Sequence, residues 1–430
     1  MRPVEMSNQS SSKIFYGWKI TFISLAVTTT AFGVLYSFGV FFKLWIEEWS
    51  CNRAFLSGVF SISFLMYGIA SFFMGRLTDR YGPRKTLALG GLIMGAGALA
   101  SAWIDRAGAL YITFGLMIGI GVGTSYSPTA STVSRWFAEK KGVAVGIVVS
   151  GLGLGTLIYS PLAKLFISLW NWRIAFILLA IFIWAVYFTA AFVIRRDPKD
   201  LGLQPYGTAS AGRSNKKDTK DSKGNPPSPA AALEISMRDA LKMSRFWSLF
   251  LIHLLWVLGM ATPMVHLVPY ATDIGVSPGK ATFMLAFIGG ISVLGRLVLG
   301  ALGEKIGLKK SLALMLTIQA LTMFWLAFSK EAWMVWSFSL IFGFSYGGLA
   351  SVFPLVTVEY FGLFAMGAIF GLILLGATIG GVIGPWLAGF IFDLTGRYFW
   401  GFVSGALSML LGLVLVIFLR PGPVPESESY

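Results

Sequence analysis

Apolar residues in this chain do not alternate with polar ones; they come in long blocks separated by short polar punctuation. Twelve blocks lie near residues 18–42, 54–75, 86–104, 109–132, 143–168, 173–194, 246–271, 280–302, 309–329, 332–356, 364–389 and 398–419. Each holds about the 20 residues that a helix rising 1.5 Å per residue needs to cross a hydrocarbon layer about 30 Å thick. Inside lipid, backbone N–H and C=O groups must be satisfied within their own segment, so the blocks are predicted to be helices and the fold class all-α. Composition agrees, with 56% hydrophobic residues, 12% charged residues and a mean hydropathy of +0.74. No cleavable leader is expected, because Met1 to Lys13 is polar and the apolar run after it is too long for a signal core.

The net charge of +15 would suit nucleic acid, but the charges sort by membrane side instead. Of 34 Lys and Arg, 25 fall on the side of the two termini. Seven fall on the other side (Lys43, Arg53, Arg106, Arg173, Lys280, Lys330 and Arg397), and two, Lys164 and Arg296, lie inside blocks away from the first two residues. The positive-inside rule then puts both termini in the cytoplasm of a multi-pass cell-membrane protein, whose partner surface is lipid and not nucleic acid. Tryptophans near the predicted ends, among them Trp45, Trp103, Trp136, Trp170, Trp172, Trp247, Trp333 and Trp400, suit an interfacial belt.

The one long polar break, 195–245, is rich in Lys, Ser, Gly, Pro and Asp and cannot bury a core. It divides the chain into an N-terminal six-helix bundle (1–194), a linker (195–245) in which 234–244 could form a short amphipathic helix, a C-terminal bundle (246–420) and a tail (421–430). Cys51 is the lone cysteine, and no Cys or His cluster has metal-ligand spacing, so neither metal nor other cofactor is expected. No acid, cysteine or histidine pair falls inside the blocks, which argues against an enzyme.

The two halves repeat. Gly75-Arg-Leu-Thr-Asp79-Arg80-Tyr-Gly82-Pro-Arg84-Lys85 after block 2 returns 225 positions later as Gly300-Ala-Leu-Gly-Glu304-Lys305-Ile-Gly307-Leu-Lys309-Lys310. Gly142, Gly146 and Pro161 return near that offset as Gly367, Gly371 and Pro385. Two six-helix halves related by an axis along the membrane normal are implied.

The GRLTDRYGPRK segment and its weaker copy resemble the signature of the major facilitator superfamily, and the resemblance spans the whole chain. It implies that Asp79 and Arg80, with Gly75, Gly82, Arg84, Glu304 and Lys305, latch the cytoplasmic ends of the halves in the outward-facing state. Tyr16-Gly17-Trp18, the segment Trp136 to Gly146, and His266-Leu-Val-Pro-Tyr270-Ala-Thr-Asp273-Ile-Gly275 are similar to monocarboxylate porters and oxalate:formate antiporters. Glu139, where a lysine is usual, tilts the similarity to bacterial members and implies a bacterial inner membrane.

Arg296 lies about 16 residues, or roughly 24 Å, into block 8, with no acid near it in sequence. One reading has it snorkel to the cytoplasm; the other has it bind a substrate carboxylate. The repeat favours the second, because the matching position in block 2 is Ser71 and the scaffold needs no cation there. An arginine stays protonated and offers a carboxylate two parallel donors, while a charge at depth costs about 2.5–3.5 kcal/mol on the mildest scale. In the resembling porters an arginine on helix 8 holds the carboxylate, and Arg296 matches it. The second central cation of the oxalate porters is matched by Gly376, which suits a monoanion, and the aspartate of animal porters is matched by Ser292.

Tyr36, Tyr126 and Tyr346 are candidate hydroxyl donors to the substrate, and Leu35 and Leu152 match the apolar wall of bacterial lactate porters. His266, with an ordinary imidazole value near 6.5, is the candidate proton carrier, the alternative being a histidine that merely binds interfacial water. His253 and Lys164 read as a packed residue and a snorkelling one. The expectation is a monomeric secondary transporter that moves a small monocarboxylate, lactate- or pyruvate-like, with a proton by alternating access. A carboxylate exchanger, or a non-transporting sensor on the same scaffold, are the alternatives.

Overall fold

The computed structural model describes residues 15–207, 235–362 and 366–419. Over these residues the chain forms twelve long helical segments. In the first half these are α1 (Tyr16–Trp49), α2 (Arg53–Tyr81), α3 (Pro83–Ser101), α4 (Ala107–Trp136), α5 (Lys141–Leu169) and α6 (Trp172–Val193). In the second they are α7 (Ser244–Asp273), α8 (Pro278–Ile306), α9 (Leu308–Phe328), α10 (Ala332–Phe361), α11 (Met366–Thr395) and α12 (Phe399–Phe418).

Eleven of the twelve are long and apolar enough, taken alone, to cross a membrane. The exception is α3, which carries Arg84 and Lys85 in its first turn. Its 19 residues still reach about 28 Å. It must also return the chain from the terminal end of α2 to the far end, because Tyr111 at the start of α4 donates to the Phe55 carbonyl at the start of α2 (2.8 Å).

Each half closes on itself in the same way. In the first, α1 packs on α5 and α3 on α6; in the second, α7 packs on α11, α8 on α10 and α9 on α12. The halves meet along α5 against α8, α2 against α11, and the far end of α1 against α7.

The repeated motif has a visible structural job. Gly82 (φ 84°) and Gly307 (φ 95°) both turn the chain from one helix directly into the next, at a φ that side-chain-bearing residues rarely adopt. Two residues on, Arg84 donates to the carbonyls of Ala191 (3.0 Å) and Phe192 (2.8 Å), which end α6. At the matching position Lys309 donates to Ile417 (3.0 Å) and Leu419 (2.6 Å) at the end of α12. A cation on unsatisfied C-terminal carbonyls is favourable both as a hydrogen bond and against the helix dipole. Arg84, expected in a latch between halves, is thus engaged within its own half.

Some expected features shift. Trp103, Trp170, Trp247, Trp333 and Trp400 are exposed, as an interfacial belt requires, but Trp45, Trp136 and Trp172 are buried. Trp45 stacks on Phe41 and Phe176, and Trp136 donates to the Arg195 carbonyl (3.1 Å), so both serve packing. The predicted linker begins as an ordered strap: Tyr206 donates its N–H to the Trp136 carbonyl (2.9 Å), and its ring lies 5.4 Å from that of Phe15. The short helix expected at 234–244 is seen as Met237–Lys242, capped by Ser236. The rest of the linker and the tail lie outside the described residues.

Candidate functional site

Arg296 is 7% exposed, on the face of α8 that meets α5. Its Nη1 donates to Ser292 Oγ one turn earlier (2.9 Å), and its Cζ lies 5.3 Å from the centre of the Tyr346 ring. Its Nε and Nη2 are buried and have no hydrogen-bond partner. These two atoms form one edge of the guanidinium, the side-on fork that takes both oxygens of a carboxylate. Leaving such donors unpaired costs about 1–3 kcal/mol each, more for a charged group. Ser292, at the place of the animal porters' aspartate, therefore orients the cation without neutralising it. The seam at this level is held open for Arg296 by glycine. A Cβ built on Gly153 of α5 would stand 2.4 Å from the Gly289 carbonyl and 2.9 Å from Arg296 Nη1.

Three tyrosines from three helices, Tyr36, Tyr126 and Tyr346, lie near this cation, and Tyr67 of a fourth helix lies beside them. Tyr36 of α1 is within electrostatic reach of Arg296, Tyr346 and Tyr67, Tyr126 of α4 is within reach of Arg296, and Tyr67 of α2 is within reach of Tyr126 and Tyr346. Phe32 packs edge-on against Tyr67 (5.4 Å), and Trp256 of α7 lies 6.4 Å from Tyr346. The arrangement offers phenol hydroxyls on aromatic walls around one cation. Leu152 is half-buried and precedes Gly153 in the chain; Leu35 is fully buried in the core.

Two of these tyrosines sit at breaks in their helices. Tyr36 ends the first piece of α1, Tyr16–Tyr36, and Ser37 covers the interruption by donating from its hydroxyl to the Val34 carbonyl (2.8 Å) before the helix resumes at Phe38. Tyr126 opens the last piece of α4, Tyr126–Trp136, after a π-helical stretch at Tyr111–Ile118 and a short α-turn. There Thr124 donates to the Gly121 carbonyl (2.6 Å) and Ser125 to that of Val122 (2.7 Å). The hydroxyls add to the backbone N–H bonds that Thr124 and Ser125 already give these two carbonyls (3.1 and 3.0 Å), so the break leaves them doubly satisfied at membrane depth.

The expected proton carrier lies elsewhere. His266 is fully buried at the pole opposite the termini, called here the far pole, in a polar network that ties the halves together. Its Nε2 lies 2.9 Å from the Pro385 carbonyl and 3.1 Å from Ser57 Oγ, and its Nδ1 lies 3.1 Å from the Tyr398 hydroxyl. Arg53 of α2 reaches across to Asp273 (2.9 Å) and to the Tyr398 hydroxyl, and stacks on Phe392 (3.8 Å). Lys43 also pairs with Asp273 (2.6 Å). Asp393 of α11 accepts from the backbone N–H groups of Arg53 (3.0 Å) and Ala54 (2.7 Å), so a carboxylate of one half caps a helix of the other. Beside this lock runs a groove of about 440 Å³ lined in part by Lys43, Glu47, Lys164 and Thr272. It lies away from the Arg296 cluster.

Between described residues, the hydrogen bonds and ion pairs that cross from one half to the other lie at the far pole and along α2 and α11. Toward the terminal pole, a Cβ built on Gly142 or Gly146 of α5, on Gly300 of α8 or on Gly371 of α11 would meet no described atom within 4 Å. Arg80 and Lys305 are exposed there, with the Arg80 guanidinium over the neighbouring Tyr81 ring (5.3 Å). The side chains of their expected latch partners, Asp79 and Glu304, lie outside the described residues. The cluster around Arg296 thus sits at the seam between two six-helix bundles that are pinned together at the far pole.

The sequence matches the family model of the Major Facilitator Superfamily over residues 20–375 and 257–429. The chain belongs to the major facilitator superfamily. It is 26% identical over 406 residues to monocarboxylate transporter 13 of Bos taurus, with 94% of this chain and 89% of that protein covered. To monocarboxylate transporter 12 of Mus musculus it is 25% identical over 434 residues, with 96% and 89% covered. Among solved structures it superposes on a bacterial homologue of the human lysosomal transporter Spinster, crystallised inward-facing and unoccupied, with a TM-score of 0.68 at 15% identity, covering 95% of this chain and 96% of that one.

The chain is therefore a transporter of this superfamily, not an enzyme, and is related at low identity to monocarboxylate transporters. The animal origin of these relatives lends nothing to the bacterial membrane expected from the segment leading into α5. Sequence reasoning about this transporter missed Tyr67 and Trp256. Their positions in apolar runs carry no signal of orientation, though the clusters around Ser37 and Thr124–Ser125 could have been read as helix breaks that mark the site.

Proposed function

We propose that this transporter moves a monocarboxylate together with a proton by alternating access, with Arg296 as the substrate's anchor. The observation that carries the reading is the side-on edge of Arg296, whose Nε and Nη2 are buried without a partner at the seam of the two halves. The carboxylate would take that edge, the hydroxyls of Tyr36, Tyr67, Tyr126 and Tyr346 would meet its second polar group, and the rings would wall its carbon body. With both termini cytoplasmic, as the distribution of Lys and Arg favours, the far pole is the outer gate. The proton balances the anion's charge, so the loaded and empty carriers differ by no net charge.

Labelled lactate taken up by proteoliposomes under an inward proton gradient, and no longer accumulated once a protonophore is added, is the expected result. Uptake that survives in Arg296→Gln would sink the reading. Exchange of one carboxylate for another is the second reading. It is favoured by Ser292, which stands beside Arg296 where an acid would accept a proton. Uptake that requires a preloaded carboxylate and ignores the proton gradient would select it.

A further inference from the structure

The hydrogens around His266 can be counted. The Pro385 carbonyl only accepts, so Nε2 carries a hydrogen and donates to it. Ser57 donates its own hydrogen to the Arg53 carbonyl (2.7 Å), which leaves its oxygen as a second acceptor for Nε2. Tyr398 accepts from Arg53 Nη1 and has one hydrogen left, which points to Nδ1 of the imidazole. Every hydrogen finds an acceptor, the one on Nε2 shared between the Pro385 carbonyl and Ser57 Oγ, if Nδ1 is a bare acceptor, that is, if the ring is neutral.

A second proton on Nδ1 would face an oxygen that already accepts from a guanidinium. It would strip the Tyr398 hydrogen of its acceptor and place a cation on a fully buried ring beside the part-exposed guanidinium of Arg53. Other charged groups do not relieve this. Asp273 at the end of α7 is occupied by Arg53 and Lys43 of the first half, and Asp393 of α11 by the backbone of α2. The α1 neighbour of the ring is Phe42, 5.3 Å away.

We propose that the far-pole lock is a proton-controlled gate, which closes around neutral His266 and opens when that imidazole takes up a proton. Ser57, Arg53 and Tyr398 are then positioning residues for the gate, linking α2 of one half to the α11–α12 corner of the other. Because closing releases one proton, the closed form is favoured above the ordinary imidazole value near 6.5. Below it, the ratio of open to closed rises by up to about tenfold per pH unit. The gate does not depend on which anion is carried, so it stands or falls separately from the substrate reading.

The test is a pair of spin labels across the far pole, on Gly108→Cys and Lys330→Cys in a Cys51→Ser background, in nanodiscs from pH 8 to pH 5. A single short distance at pH 8, joined by a longer one that grows as pH falls through about 6.5, is expected. His266→Gln keeps one donor and one acceptor but cannot be protonated, and should hold the short distance at every pH. A longer distance that still appears on acidification in His266→Gln would overturn the proposal, as would a pH-independent wild type. Tyr398→Phe gives a second handle: without the phenol hydrogen, the longer distance should already appear at pH 8. A Tyr398→Phe profile identical to wild type would equally overturn it.

Discussion

The two poles of this transporter are built from the same repeated half, yet the ties between halves that join described residues all lie on the far-pole side. At the far pole the halves exchange a charged pin (Arg53 and Lys43 to Asp273), a helix cap (Asp393 on α2) and a buried imidazole. Between there and the middle, α2 and α11 stay zipped, with Ser61 donating to the Val382 carbonyl (2.5 Å). Toward the terminal pole, a Cβ on Gly142, Gly146, Gly300 or Gly371 would meet no described atom within 4 Å. The contrast teaches that the seam itself is generic small-residue packing, and that polar pins at the poles decide which side is shut. Arg296 lies on the α5–α8 seam, away from these pins.

The comparison is sharpest where its boundary is removed. Arg296→Gln takes away the one charge at the seam's midpoint, and uptake of labelled carboxylate into proteoliposomes should fall by about two orders of magnitude, the scale of losing one partner of a buried charged pair. Next in size is the cap: Asp393→Asn weakens the charge-assisted bonds to α2 and should loosen the far pole by about 1–3 kcal/mol. The readout is a rise of about fivefold or more in far-pole cysteine accessibility at neutral pH. Gly153→Ala probes the seam instead. Its Cβ would collide with the Gly289 carbonyl and crowd Arg296 Nη1. We expect a cost of about 1–3 kcal/mol from overpacking, seen as a lower melting temperature together with weaker substrate protection.

Smaller effects should separate pins from ornaments. Tyr67→Phe removes one hydroxyl from the cluster and should raise the apparent KM several-fold, the scale of one hydrogen bond at about 0.5–1.5 kcal/mol, while leaving far-pole accessibility unchanged. Lys43→Ala should barely move either pole, because the Lys43–Asp273 pair is about a third exposed and such pairs give at most about 1 kcal/mol. A large effect of Lys43→Ala would mean that the outer pin, and not the buried network, holds the gate.

Much of this was legible in the sequence for physical reasons that can be named. Twelve apolar blocks could only be helices, because lipid offers the backbone no partners, and the 225-residue repeat fixed the two-bundle plan. Arg296 stood out because a cation at depth is costly and its repeat partner is a serine. The site's aromatic residues were only partly legible. Tyr36, Tyr126 and Tyr346 were candidates, but Tyr67 was indistinguishable from any tyrosine in an apolar helix. In a chain buried on every side, sequence gives the period of a helix but not the direction of a given face.

His266 marks the limit most plainly. Its residue type announced proton chemistry, yet its partners come from positions 57, 385 and 398, and nothing local in the chain says that these meet. The same holds for Asp393 on the end of α2, and for Arg84 and Lys309 on the ends of α6 and α12. The sequence by itself determined the solvent, the helix count, the twofold plan and the lone central cation, since each follows from local composition and spacing. Which pole is shut, which phenols surround Arg296 and what His266 touches were decided by tertiary structure alone, because each depends on contacts between helices far apart in the chain.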